Sequence, residues 1–185
     1  MKNENNDVLE ILISEKELDE LVTQIAKKID EDYAESSSRI LLLAILKGSV
    51  VFMGDLMKKI SLPVEIDFMK VSSYGAGTVP TGSVNIHLDL LRPDLDKCDI
   101  LLIEDIVDSG NTLSYLKRLL MQRKPASVKI CTLLDKPERR KVELEPDYSC
   151  FIIPDEFVVG YGLDYDEKFR NIPEVCILKR SVYEK

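Results

Sequence analysis

Between positions 99 and 112 the chain reads Asp-Ile-Leu-Leu-Ile-Glu-Asp-Ile-Val-Asp-Ser-Gly-Asn-Thr, and this stretch restricts the possible folds more than any other. Residues 100–103 are uniformly apolar, the pattern of a strand buried on both faces. Glu104 and Asp105 stand at its carboxyl end. A short loop, Asp108-Ser109-Gly110-Asn111-Thr112, follows, and a helical pattern resumes at Leu113. Open parallel sheets bind their ligands beyond the carboxyl ends of the strands. A Ser/Gly/Thr loop entering a helix offers free backbone N–H groups and the positive end of a helix dipole to a phosphate. Carboxylates beside such a loop suggest a substrate with hydroxyls, phosphate and a bound magnesium ion. The same spacing also fits a plain strand, turn and helix N-cap.

The other elements surround this unit. Ser14 and Glu17 form a capping box, with Ile13 and Leu18 as a hydrophobic staple. Leu18, Leu21, Val22, Ile25 and Ile29 then share one helical face. Residues 40–46 read as a second buried strand, Lys47-Gly48-Ser49 as a turn and 50–60 as a helix. Residues 63–71 and 84–88 alternate as strands, separated by a Gly/Ser/Thr-rich loop at 72–83. A helix is expected at 112–123, a strand at 128–134, and short strands at 150–153, 157–161 and 175–178. Strands alternating with helices predict an α/β fold: a parallel sheet flanked by helices on both faces. The expected organisation is one domain over 1–185, with a core at about 36–145. A small hood from about 1–12 and 146–185 would cover the sheet's carboxyl edge. Gly75 and Gly77 lack the third glycine of a dinucleotide fingerprint, and no GxxxxGK[ST] stretch occurs.

Composition excludes several classes. A formal charge of −8 argues against nucleic acid as the main partner. The single histidine, His87, falls in an alternating run and is expected to face outward from a strand. Cys98, Cys131, Cys150 and Cys176 form no CxxC pair and sit in apolar stretches, as reduced packing residues of a cytoplasmic protein would. The N-terminal residues lack a signal-peptide pattern, and the longest apolar run, 40–46, is too short to span a bilayer.

Two hydrophobics with Glu104-Asp105, two more, then Asp108-Ser109-Gly110-Asn111-Thr112 resemble the signature loop of type I phosphoribosyltransferases. Those enzymes use phosphoribosyl pyrophosphate (PRPP). The family usually has Thr where Ser109 stands, and the hydroxyl is retained. Three further segments resemble the family in its own order. They are Lys47-Gly48-Ser49, Lys136 after Leu133-Leu134-Asp135, and the long run 154–170. That run, from Pro154-Asp155-Glu156-Phe157-Val158 through Asp164 to Arg170, resembles the hypoxanthine-guanine branch. Together the four motifs cover about 40–178.

The resemblance implies a type I phosphoribosyltransferase-like sheet and a set of roles. Glu104, Asp105, Asp108, Ser109, Gly110, Asn111 and Thr112 would hold the 5′-phosphate and ribose of PRPP. Asp108 would be the general acid/base at a purine ring nitrogen. Lys47, Gly48 and Arg170 would contact pyrophosphate, and Lys136, Phe157, Val158 and Asp164 the purine. Ser73 and Tyr74 would belong to a lid loop. Glu104, Asp105 and Asp164 would serve Mg2+, directly or through water. The implied reaction moves 5-phosphoribose from PRPP to hypoxanthine and guanine, giving IMP or GMP and pyrophosphate, in a homodimer or homotetramer.

An ammonium has donors and no acceptor, so Lys136 would favour a 6-oxopurine over adenine. Read without the family, Lys47 is a solvated turn lysine and Phe157 a core aromatic. Lys136 is then a surface residue beside the charged run Glu138-Arg139-Arg140-Lys141. Two alternatives accompany the main reading. One is a xanthine-preferring enzyme; the other is a non-catalytic PRPP sensor that binds nucleic acid, which the acidic charge disfavours.

Overall fold

The structure, a computed structural model, describes residues 7–73 and 84–184. Two strands form its centre because their sequences leave no polar face to expose. β2 (Arg39–Leu46) is buried from Ile40 to Ile45, and β5 (Cys98–Val107) from Cys98 to Ile103. They pair in parallel, with Ile40 opposite Asp99 and Ala44 opposite Ile103. Around them stand β3 (Val64–Ser73), β4 (Val84–Leu88), β6 (Ser127–Asp135) and β7 (Tyr148–Ile152), in the order β4-β3-β2-β5-β6-β7.

Both faces are covered by helices, as expected. α1 (Glu15–Tyr33) and α2 (Val50–Lys59) bury Leu18, Val22, Ile25, Ile29, Phe52 and Leu56 against one face. α3 (Asn111–Gln122) buries Leu113, Leu116 and Leu120 against the other. The Ser14/Glu17 capping box is present, and both staple residues, Ile13 and Leu18, are buried. Three antiparallel strands, β1 (Val8–Ile13), β8 (Val158–Val159) and β9 (Val175–Leu178), form the hood in the order β1-β9-β8. A four-residue helix, α4 (Arg180–Tyr183), follows them.

The expectation needs three corrections. β4 runs antiparallel to β3, so the sheet is mixed. The connection at 74–83 is shorter than the dozen or so residues a parallel crossover needs. β7 belongs to the core sheet and not to the hood: it pairs in parallel with β6, Cys131 opposite Tyr148 and Asp135 opposite Ile152. The crossover into it carries only a 3₁₀ turn, Pro137–Arg139, followed by an extended strap. Finally, β5 continues through Glu104 and Asp105 to Val107, because Glu104 and Val107 still pair with Thr132 and Asp135 of β6.

His87 is exposed on β4, as expected, with its Nε2 2.8 Å from Ser72 Oγ. The four cysteines are unpaired; Cys98, Cys131 and Cys176 are buried and Cys150 partly so. No described helix is long and apolar enough to cross a membrane. Of the two expected lid residues, Ser73 ends β3 and Tyr74 lies outside the described residues.

Candidate active site

A cleft of about 310 Å³ opens at the carboxyl ends of β2, β3 and β5. Its walls include Leu46, Ser72, Glu104 and the turn from Asp108 through Gly110 to Thr112. A larger cavity, about 660 Å³, lies between the hood and helices α1 and α2, but Arg170 is its sole predicted site residue. The smaller cleft gathers Glu104, Asp108, Ser109, Gly110 and Thr112 of the predicted site.

The geometry of the loop after β5 suits an anion. Gly110 is the N-cap of α3, at φ 78°, and no side chain caps the helix. A left-handed backbone here suits glycine. The first amides of α3 therefore keep their capacity for an outside acceptor. Among the described residues the local contact to these amides is long, from the Asn111 N–H to Ser109 Oγ at 3.4 Å. Behind the loop stand Arg140 and Val142, 3.0 and 3.1 Å from where a Cβ on Gly110 would lie.

Glu104 and Asp105 are short of positive charge. Glu104 Oε2 is inaccessible to solvent and has no hydrogen-bond partner among the described residues. Burial, with Asp105 next to it, pushes the Glu104 carboxyl well above its usual range. Burial likewise lifts Asp105 to about 6, although the Ile106 N–H, Glu104 and Arg170 all favour its ionised form. Two adjoining carboxylates with an unmet oxygen suit a hard cation with oxygen ligands, so the residues present fit the magnesium implied by the sequence. No three His, Cys, Asp or Glu side chains among the described residues form a ready cage. A cation here would draw further ligands from substrate oxygens and water.

Two other segments of the chain close on Gly48. The Leu46–Lys47 peptide before it is cis. A Cβ on Gly48 would lie 1.5 Å from Asp105 Oδ2, and one on Gly162 would lie 2.2 Å from the Gly48 carbonyl oxygen. Gly162 takes φ 100°, and Arg170 Nη1 donates to its carbonyl at 2.7 Å. Arg170 Nη2 pairs with Asp164 Oδ1 at 2.7 Å, while Lys47 Nζ meets Glu167 at 2.9 Å. The pyrophosphate candidates Lys47, Gly48 and Arg170 are thus gathered beside Asp105 and Asp164. Each cation is held by a carboxylate.

The purine candidates lie in the hood and beside it. Lys136 follows β6 directly, and its side chain is only 9% exposed. Its Nζ donates to the Glu156 carbonyl at 2.6 Å, and burial pushes its pKa down. It is not the surface lysine that its charged surroundings suggest. Val158 is buried. Phe157 packs within the hood's aromatic cluster. Its ring stacks on Tyr183 with centroids 4.9 Å apart and planes at 26°, and meets Tyr165 edge-on at 5.6 Å.

Residues that sequence reasoning passed over contact these candidates. Arg139 Nε lies 2.6 Å from Asp108 Oδ1, and its Nη1 donates to Asp155 at 3.0 Å. Arg140 bonds the Asp108 carbonyl and pairs with Asp135. Both arginines sit in a charged run whose simplest reading is a solvated face. Tyr183 and Glu167 carried no pattern linking them to Phe157 and Lys47.

Comparison with known proteins shows likeness over nearly the whole chain. The family model described as "Phosphoribosyl transferase domain" matches residues 10–166. A hypoxanthine-guanine phosphoribosyltransferase of Streptococcus pneumoniae is 48% identical over 178 residues, covering 96% of this chain and 97% of that protein. The bifunctional TilS/HprT protein of Listeria monocytogenes is 49% identical over 181 residues, 98% of this chain; the chain spans 28% of that relative's length. A crystal structure of a hypoxanthine phosphoribosyltransferase from Staphylococcus aureus superposes with a TM-score of 0.93 at 44% identity, covering 100% of both chains.

Proposed function

The chain belongs to the phosphoribosyltransferase family, and on that premise we propose that it is a purine-salvage enzyme. It transfers 5-phosphoribose from PRPP to N9 of hypoxanthine or guanine and releases pyrophosphate. The observation that carries this reading is the joining of a phosphate cradle to an under-neutralised carboxylate pair. The uncapped Asp108–Thr112 turn and Glu104 line the same cleft.

In this reading the N–H groups of Ser109, Gly110, Asn111 and Thr112 hold the 5′-phosphate. Glu104 and Asp105 hold the ribose hydroxyls. Magnesium, held through Glu104, Asp105 and Asp164 with substrate oxygens, would neutralise pyrophosphate as it leaves. Lys47, the Gly48 backbone and Arg170 receive pyrophosphate, and the two cations exchange their present carboxylate partners for phosphate oxygens. Ribose C1 passes through an oxocarbenium-like state, as at other glycosidic centres. The nearby carboxylates stabilise that positive charge. Asp108 handles the purine proton, at N7. Lys136 donates to the 6-oxo group, Phe157 stacks on the ring and the Val158 backbone meets its edge. The resemblance also implies a homodimer or homotetramer, which sedimentation reads directly.

The test is a spectrophotometric assay with PRPP and magnesium, offering hypoxanthine, guanine, xanthine and adenine separately. Turnover of hypoxanthine and guanine, abolished by a chelator, is the expected result. A preference for xanthine would correct the base. Silence on all four, with retention of RNA in the presence of PRPP, would replace the enzyme by a PRPP-sensing regulator.

A further inference from the structure

The two carbonyl groups that open the phosphate loop are both held from behind. Arg140 Nη1 donates to the Asp108 carbonyl at 2.6 Å, and the Lys141 N–H donates to the Ser109 carbonyl at 2.9 Å. In a planar trans peptide, the C=O of one residue and the N–H of the next point in opposite directions. Both peptides here are trans. Fixing these carbonyls on the strap side therefore turns the Ser109 and Gly110 N–H groups the other way, into the cleft. The N-terminus of α3 favours an anion on that same side.

Arg140 has little freedom to do anything else. Its Nη2 pairs with Asp135, and the two side chains are 13% and 10% exposed. Its Cδ lies 3.0 Å from where a Cβ on Gly110 would stand. A planar guanidinium gripping two acceptors in different directions sets their relative placement, which an ammonium cannot do. Asp135 is the last residue of β6 and precedes Lys136. One side chain thus ties the loop that faces the phosphate to the strand end that faces the base.

We infer that Arg140 is a positioning residue for the transfer reaction. It sets the direction of the phosphate-loop N–H groups and fixes that loop against the strand that presents Lys136. The inference rests on the proposed phosphate role of residues 108–112. Arg140 itself does not line the cleft.

The test compares binding of inosine 5′-monophosphate with binding of inosine, measured by calorimetry on the full chain for wild type, R140Q and R140K. The ratio of the two affinities isolates the phosphate. Losing an oriented bond to a charged group should lower that ratio about tenfold or more in R140Q. Inosine affinity should stay near wild type, and the KM for PRPP should rise more than kcat falls. R140K, which can satisfy one acceptor but not both, should fall between. An unchanged ratio in R140Q, or in R140K should R140Q not fold, overturns the inference. Equal weakening of both ligands also overturns it, because that is general structural damage. A wild-type protein that binds the two ligands equally removes the phosphate-loop reading itself, and the inference with it.

Discussion

Gly48 and Asp105 are so close that any side chain at 48 would occupy the Asp105 carboxylate: a Cβ there would lie 1.5 Å from Oδ2. Gly48→Ala therefore cannot be accommodated without moving Asp105 or the turn. Displacing a reacting group by about 1 Å costs roughly 10²-fold in rate. Turnover of G48A should fall by about that factor, at a modest loss of thermal stability. The check is kcat and KM for PRPP beside a melting curve; a variant of normal activity would mean that the turn moves freely.

Glu104 and Asp105 should make the ligand-free protein less stable as pH rises. Their carboxyls titrate above the usual range, Asp105 at about 6, so folding favours their protonated forms. That contribution is full below the ordinary carboxylate pKa and is lost as pH climbs through the raised values. Glu104→Gln and Asp105→Asn should thus gain stability relative to wild type between pH 5 and pH 8. Magnesium with PRPP should bind wild type more tightly over the same interval. Melting temperatures of all three proteins at both pH values test the sign.

Asp108→Asn should leave PRPP binding largely intact while turnover drops by at least ~100-fold, the usual worth of a placed acid or base. The Arg139 contact at 2.6 Å would lose its ion-pair character in this variant, but the loop backbone is held elsewhere. Near-normal turnover would remove Asp108 from the role.

Tyr183 should matter to the base and not to PRPP. Its ring backs Phe157 at 4.9 Å, and such a stack contributes about 0.5–1.5 kcal/mol. Tyr183→Ala should raise the KM for hypoxanthine about 2–10-fold and leave that for PRPP unchanged. A rise in both would point to a hood that has come loose as a whole.

Lys136→Gln should weaken discrimination against adenine. The amide of Gln offers an acceptor as well as donors, and the buried ammonium is removed. The ratio of hypoxanthine to adenine turnover reads this directly; an unaltered ratio would separate Lys136 from base selection.

What could be read in the chain follows from which forces act locally. Residues 40–46 and 100–103 announce buried strands because strands covered on both faces need apolar residues without alternation. Gly110 and Ser109 announce a turn because the backbone there needs a left-handed residue and a hydroxyl. β7 escaped placement because Tyr148-Ser149-Cys150-Phe151-Ile152 has no clean period, and only pairing with β6 decides its sheet. Arg139 and Arg140 escaped because a run of charges says nothing of what it folds against. Their partners, Asp108 and Asp135, lie at strand ends that only the sheet brings near. The Phe157–Tyr183 stack joins residues on opposite sides of β9, a closeness that no spacing encodes.

The hood is closed by strands from opposite ends of the chain, Val8 opposite Leu178 and Ile13 opposite Val175. During synthesis β1 is made well before its partner β9 and must wait for it. All six strands of the larger sheet are made before β8 and β9. In a nascent chain the strands behind the phosphate loop are therefore made before the hood can pair, and the Phe157 shelf completes only when β1 and β9 meet. Any change that slows that meeting, such as a bulky fusion beside β1, will delay recognition of the purine without touching a residue that binds it.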